Sequence, residues 1–164
     1  MKILDKAQIL RKIQRLTVEI LERNFGETEI ILVGINQNGL EMARLLANEL
    51  IDRTDTQIIL TRLQINPAKP LDGSVFLDMP LESVNNKVII LIDDVANTGR
   101  TFFYALRPLL DVLPKKVEVA VLVDRKHKSF PIQPDYVGLS LATTLKENID
   151  VKIRDVDDWA VYLN

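Results

Sequence analysis

The period of the hydrophobic positions changes repeatedly along the chain, and each change marks an element. From Ile9 they recur at Ile13, Leu16 and Ile20, spacings that lay an apolar stripe along one face of a helix. Asp5, followed three residues later by Gln8, supplies the cap that starts this helix, and the pattern ends near Asn24, Phe25 and Gly26. Residues 29–35 (EIILVGI) are continuously apolar and β-branched, as in a strand covered on both faces. After the polar break Asn36-Gln37-Asn38-Gly39, helical spacing returns over 40–50 through Met42, Leu45, Leu46 and Leu50. Further strands are predicted at 57–63, 87–93 and 117–124, with a helical segment over 101–110 that Pro108 kinks or ends. Buried strands alternating with helices mean an α/β fold with a mainly parallel central sheet flanked by helices.

Two stretches break this rhythm. Residues 64–86 carry Pro67, Pro70, Gly73 and Pro80 between two core strands, and a connection that long inside a small domain is either functional or mobile. From Lys126 onward the chain falls into short pieces: a basic loop, PDYVG, and DVKIRDVDDWAVYL with strand-like ends. No internal repeat or composition shift divides the 164 residues, so a single domain over 1–164 is expected.

Composition narrows the chemistry. With no cysteine, disulfides, Cys-ligated zinc and thiol catalysis are excluded, and any triad or multi-histidine site would need the single His127. A net charge of −2 gives no global argument for nucleic-acid binding. The first helix nevertheless carries Lys6, Arg11, Lys12, Arg15 and Arg23 outward, a face either solvated or contacting RNA or a partner. The opening residues lack the apolar core of a signal peptide, and no apolar run approaches the ~20 residues that span a bilayer. A cytoplasmic protein with no membrane partner is expected.

The densest chemistry lies at 88–101, VIILIDDVANTGRT. In an open parallel sheet, ligands sit at the carboxyl ends of the strands. Here a strand ends in Asp93-Asp94, and Val95-Ala96-Asn97-Thr98-Gly99-Arg100-Thr101 leads into a helix. Gly99 permits a tight turn, and the amides of Ala96, Asn97, Thr98, Gly99, Arg100 and Thr101 can converge on a phosphate, with hydroxyls from Thr98 and Thr101. Two carboxylates beside a phosphate repel it unless they hold sugar hydroxyls or hydrated Mg²⁺, a combination that suits a phosphorylated sugar. A P-loop ATPase would need GxxxxGK[ST], and a dinucleotide site would need GxGxxG where this chain has VGINQNG; neither is present. Simple helix capping by Asp94 or Thr98 leaves the coincidence of two acids, Thr, Gly and Thr unexplained.

Residues 88–101 resemble the signature of type I phosphoribosyltransferases: a hydrophobic strand, Asp-Asp, three residues, then Thr-Gly-x-Thr. VAVLVDRKHKSFPIQPDYVG (119–138), the opening DKAQILRKIQRLTVEILERN and the closing DVDDWAVYL are similar to the bacterial pyrimidine operon regulators of that family, which are also uracil phosphoribosyltransferases. The resemblance implies the type I phosphoribosyltransferase fold with a small hood from the termini. It also implies transfer of a phosphoribosyl group from phosphoribosyl pyrophosphate (PRPP), carrying Mg²⁺, to a nucleobase. By the same resemblance Asp93 and Asp94 hold the ribose hydroxyls and steady the developing charge. The six residues Ala96, Asn97, Thr98, Gly99, Arg100 and Thr101 bind the 5′-phosphate. Asn36, Gln37, Asn38 and Gly39 form the pyrophosphate loop, Tyr136 stacks on the base, and Val137 and Arg125 contact it.

The chain departs from these relatives in three places. Its pyrophosphate loop lacks their basic residue before the glycine, and Arg62 on the neighbouring strand is the candidate to supply the charge. Val18 stands where they tend to carry histidine and Gln133 where they tend to carry arginine, while Arg15, Arg125, Lys126 and Lys128 remain basic. The run Arg125-Lys126-His127-Lys128 therefore stays open between RNA, the base, the pyrophosphate and solvent. Uracil is the expected base, with a purine enzyme or an RNA-binding, nucleotide-sensing regulator of weak catalysis as alternatives. A dimer or larger homo-oligomer is expected, and the 64–86 connection is the candidate lid.

Overall fold

A computed structural model describes residues 1–144 and 146–164. The elements in chain order are β1 (Lys2–Asp5), α1 (Lys6–Arg23), β2 (Glu29–Ile35), α2 (Asn36–Ile51), β3 (Gln57–Gln64) and β4 (Phe76–Leu77). They continue with β5 (Val88–Ala96), α3 (Arg100–Ala105), β6 (Lys116–Arg125), β7 (Tyr136–Leu141), β8 (Ile149–Lys152) and β9 (Ala160–Leu163). A six-stranded sheet of order β4-β3-β2-β5-β6-β7 is parallel except for β4, and β1-β9-β8 form a separate antiparallel sheet. The α/β class, the parallel sheet and the hood of chain ends are as the sequence led us to expect.

Side-chain period sorts the residues onto the two faces. In β5, Val88, Ile90 and Ile92 face α1 and α2, whereas Ile89 and Leu91 face α3, so the strand is apolar from Val88 to Ile92. The α1 stripe is fully buried against the first face, each of Ile9, Ile13, Leu16 and Ile20 contributing roughly 1.5–3 kcal/mol. The helix starts where expected: Gln8 N donates to Asp5 Oδ1 at 2.8 Å and Asp5 N to Gln8 Oε1 at 2.9 Å, a reciprocal capping box. Leu4, Ile149, Ile153 and Val161 join the same core and seat the hood beside it.

Several elements differ from the sequence expectation. The short β1 is additional, because four residues gain strand identity only by pairing with β9 near the other end of the chain. The helix expected from residue 40 begins at Asn36, so the polar break is its first turn rather than a loop. The central strand continues through the acidic pair to Ala96, its register holding Val95 against Val123 and Ala96 against Asp124. The third helix ends at Ala105, and Pro108 lies at the start of a separate 3-10 segment, Arg107–Asp111. No helix among the described residues is long and apolar enough to cross a membrane.

Candidate active site

The site forms where β2 and β5 deliver their ends to the first turns of the following helices. Asn36 takes a left-handed φ of 54°, which asparagine tolerates, and turns the chain from β2 into α2 in one residue. Its Oδ1 accepts from Ile65 N at 3.0 Å, which ties this junction to the start of the 64–86 connection. Gly39 allows a close approach: a Cβ there would lie 2.4 Å from the carbonyl oxygen of Ile92. That contact sets the first turn of α2 on β5 immediately before the acidic pair. The first amides of α2 have no acceptor within the helix and remain available to an anion.

Asp93 and Asp94 line a cleft of about 330 Å³ with Asn36, Gln37, Asn38, Thr101, Pro67 and Arg154. Asp94 N donates to Asp93 Oδ1 at 2.9 Å, Val95 N to Asp94 Oδ1 at 2.9 Å, and Asn38 Nδ2 to Asp94 Oδ2 at 3.2 Å. Burial pushes the Asp93 carboxyl well above the ordinary carboxylate range, and the charge of Asp94 adds to the effect. Burial raises Asp94 too, against the hydrogen bonds from Asp93, Val95 and Asn38. Such a pair is satisfied by hydroxyl donors or by a cation.

The next turn makes a second, smaller hollow. Residues Val95, Ala96, Asn97, Thr98, Gly99, Arg100, Thr101 and Phe102 enclose about 40 Å³, more than a single water requires. Gly99 is left-handed at φ 85°, and Thr98 Oγ1 accepts from Arg100 N at 3.3 Å. Thr101 lines both hollows and joins them. Arg100 Nη2 donates to the carbonyl of Pro67 at 2.5 Å, holding the start of the long connection at the cleft.

Several expected contacts take another form. Arg62 does not enter the cleft: its Nε is paired with Asp78 Oδ2 at 2.9 Å across the β3–β4 hairpin, where Gln64 holds the other oxygen at 2.7 Å. Tyr136 cannot stack on a ligand, because it is fully buried beneath α1, with its hydroxyl donating to Glu118 at 2.8 Å and accepting from Asn24 at 3.2 Å. The carbonyl of Val137 accepts from Arg15 Nη2 at 2.7 Å. Arg125 reaches Asn97 Oδ1 at 3.2 Å, braced by Thr143 Oγ1 at 2.8 Å and the carbonyl of Thr144 at 2.9 Å.

Sequence reasoning missed Arg154. It follows β8 in the hood, distant in sequence from the 88–101 motif, and only the packing of the hood brings it to the rim of the cleft. The one available signal was an arginine in the closing DVKIRDVDDWAVYL segment.

Residues 1–155 match the family described as phosphoribosyl transferase domain. Among curated proteins, the chain is 34% identical to the bifunctional protein PyrR of Acetivibrio thermocellus, over 95% of this chain and 89% of that one. It is 36% identical to the PyrR of Clostridioides difficile, over 95% and 92%. Among solved structures, the hypoxanthine phosphoribosyltransferase of Trypanosoma cruzi superposes with a TM-score of 0.77 at 15% identity, over 98% of this chain and 95% of that one. A hypoxanthine-guanine phosphoribosyltransferase from Bacillus anthracis gives 0.74 at 16% identity, over 86% and 82%. These two show a common fold.

Proposed function

The chain belongs to the phosphoribosyltransferase family and is a phosphoribosyltransferase, and from that premise we propose that it joins uracil to PRPP, giving uridine 5′-monophosphate and pyrophosphate. The observation that carries the reading is the acidic pair at the end of β5, set between two turns whose adjoining hollows share Thr101. The preference for uracil rests on the likeness to the pyrimidine regulators, since identity to the PyrR proteins is about twice that to the purine enzymes.

In this reading Asp93 and Asp94 accept the ribose hydroxyls, the turn from Ala96 to Thr101 holds the 5′-phosphate, and the first amides of α2 face the pyrophosphate. Arg154 supplies the positive charge that the 36–39 segment lacks. A ring nitrogen of the base forms a bond to ribose C1 as the C1–O bond to pyrophosphate breaks, and the nitrogen's proton passes to solvent. The transition state carries positive charge on the ribose, which the two carboxylates stabilise. Arg125 and the backbone of Val137 contact the base. Pro67, held by Arg100, covers one wall and limits water.

Mg²⁺ fits this donor set. Two half-buried, adjacent carboxylates with raised pKa values attract a cation, while no group of three or more His, Cys, Asp or Glu among the described residues builds a cage for one. The ion therefore suits one carried in by PRPP, with Asp93 and Asp94 beside it. When bound, it neutralises charge on the departing pyrophosphate.

Incubation with PRPP, Mg²⁺ and uracil, hypoxanthine, guanine or orotate tests the assignment. Monophosphate and pyrophosphate from uracil alone are expected; turnover restricted to a purine would replace uracil, and none with any base would sink the activity. A cytoplasmic homo-oligomer, at least a dimer, belongs to the same reading.

A second role has a specific observation in its favour. Arg11, Lys12 and Arg15 on α1 line one depression with Leu4 and Gln8, and burial together with Arg15 and Arg11 lowers the Lys12 pKa. That concentration of positive charge supports an RNA-contacting face, as in a pyrimidine-gene regulator. RNA binding that persists at moderate salt and strengthens with uridine 5′-monophosphate is the expected sign.

A further inference from the structure

The basic run after β6 has a structural logic that ligand contact does not explain. Asp124 is buried at the end of β6, opposite Ala96 of the neighbouring strand, and Lys128 lies four residues further on in a non-helical segment. Lys128 Nζ donates to Asp124 Oδ1 at 2.5 Å and also to the carbonyl of Arg125, so the chain is folded back on the strand it has just left. The Lys128 charge is thereby committed to a largely buried carboxylate.

The consequence falls on the phosphate turn. The next two amides, Ser129 N and Phe130 N, both donate to the carbonyl of Thr98, at 2.9 and 3.2 Å. A peptide whose oxygen is held by two donors does not rotate to present that oxygen to a bound anion. The same segment roofs Gly99: a Cβ there would lie 3.0 Å from Ile132 Cβ and 3.5 Å from Lys128 Cδ. Phe130 packs on Phe103 and Tyr104 of α3, with ring centroids 5.1 and 6.1 Å apart, which secures the segment on its far side.

We propose that Asp124 and Lys128 are a positioning pair that latches residues 126–132 onto the Thr98–Gly99 peptide, and so sets the affinity for the 5′-phosphate of the substrate. The inference rests on the assignment of that turn to a ribose phosphate. Neither residue needs to touch the ligand. The ion pair holds the segment, the segment holds the Thr98 carbonyl, and the turn is fixed before the phosphate arrives. Removing one partner leaves a charge without compensation and frees the segment.

The test is calorimetric binding of ribose 5-phosphate to the full chain, alongside steady-state kinetics. Lys128→Met is expected to weaken ribose 5-phosphate and raise the KM for PRPP by about tenfold, with kcat held within about twofold. Lys128→Arg, which can still bridge a carboxylate and a carbonyl, restores both. Should Lys128→Met fold poorly, the double variant Asp124→Asn, Lys128→Met leaves no lone buried charge and is expected to show the same loss. Wild-type binding matched by the variants overturns the latch alone, as does a rise in the KM for the base with that for PRPP unchanged. A wild type that does not bind ribose 5-phosphate overturns the turn assignment and the latch with it.

Discussion

The side-chain amide of Asn38 donates to Asp94 Oδ2 at 3.2 Å, so the first turn of α2 and the acidic pair of β5 act on each other before any substrate binds. This bond favours the ionised carboxylate, opposing the burial that raises its pKa. Asn38→Ala removes that opposition. The acid limb of the kcat/KM profile is expected to move to higher pH, and a pH series on the variant checks it. An unmoved limb would separate Asn38 from the chemistry.

Asp93→Asn and Asp94→Asn are each expected to remove most turnover while the fold persists; an unimpaired double variant would sink the assignment. Their stability should change in the opposite sense. Folding raises the Asp93 pKa, so its contribution favours the fold below the ordinary value of 3.8 and is lost as pH rises through the raised value. Above the ordinary carboxylate value the Asp93 side chain therefore opposes folding of the unliganded protein. Asp93→Asn is therefore expected to raise Tm at pH 7.5 by about 2–4 °C, with the difference shrinking toward pH 4. Scanning calorimetry at both pH values checks the sign.

Arg154→Ala should raise the KM for PRPP by about tenfold, the loss of one charge-assisted hydrogen bond, with little change in the KM for the base. Arg62→Ala should leave PRPP kinetics near wild type, because its guanidinium is occupied by Asp78. Reversal of that order in steady-state kinetics would return the charge to β3.

Gly39→Ala is expected to cost about 1–3 kcal/mol in denaturant unfolding, because its Cβ has no space beside the Ile92 carbonyl. The helix must shift to relieve the clash, so turnover should fall as well, through Asn38 and the α2 amides.

Tyr136→Phe distinguishes a structural tyrosine from a base platform. Its hydroxyl is held between Glu118 and Asn24, so removal should cost about 1–3 kcal/mol in unfolding while the KM for the base stays put. A stability equal to wild type would contradict the buried role.

Local pattern alone determined the parallel sheet and the clustering of Asp93-Asp94 with the Thr98-Gly99-Arg100-Thr101 turn. Continuous apolar runs such as 29–35 require burial on both faces, and the acids, Thr98, Gly99 and Thr101 are adjacent in the chain, so both signals are contained within short windows. The capping box at Asp5 and Gln8 was legible for the same reason. Tertiary structure alone decided which charges reach the cleft. Arg62 looked well placed on a neighbouring strand, yet the β3–β4 hairpin gave it Asp78, while Arg154 arrived from the hood, far along the chain from the acidic pair. It also decided Tyr136, whose strand position fits either face until α1 packs over it and Glu118 takes its hydroxyl. Sequence adjacency fixes what a segment can bind; which partners close around it depends on contacts between distant segments, and those exist only in the folded chain.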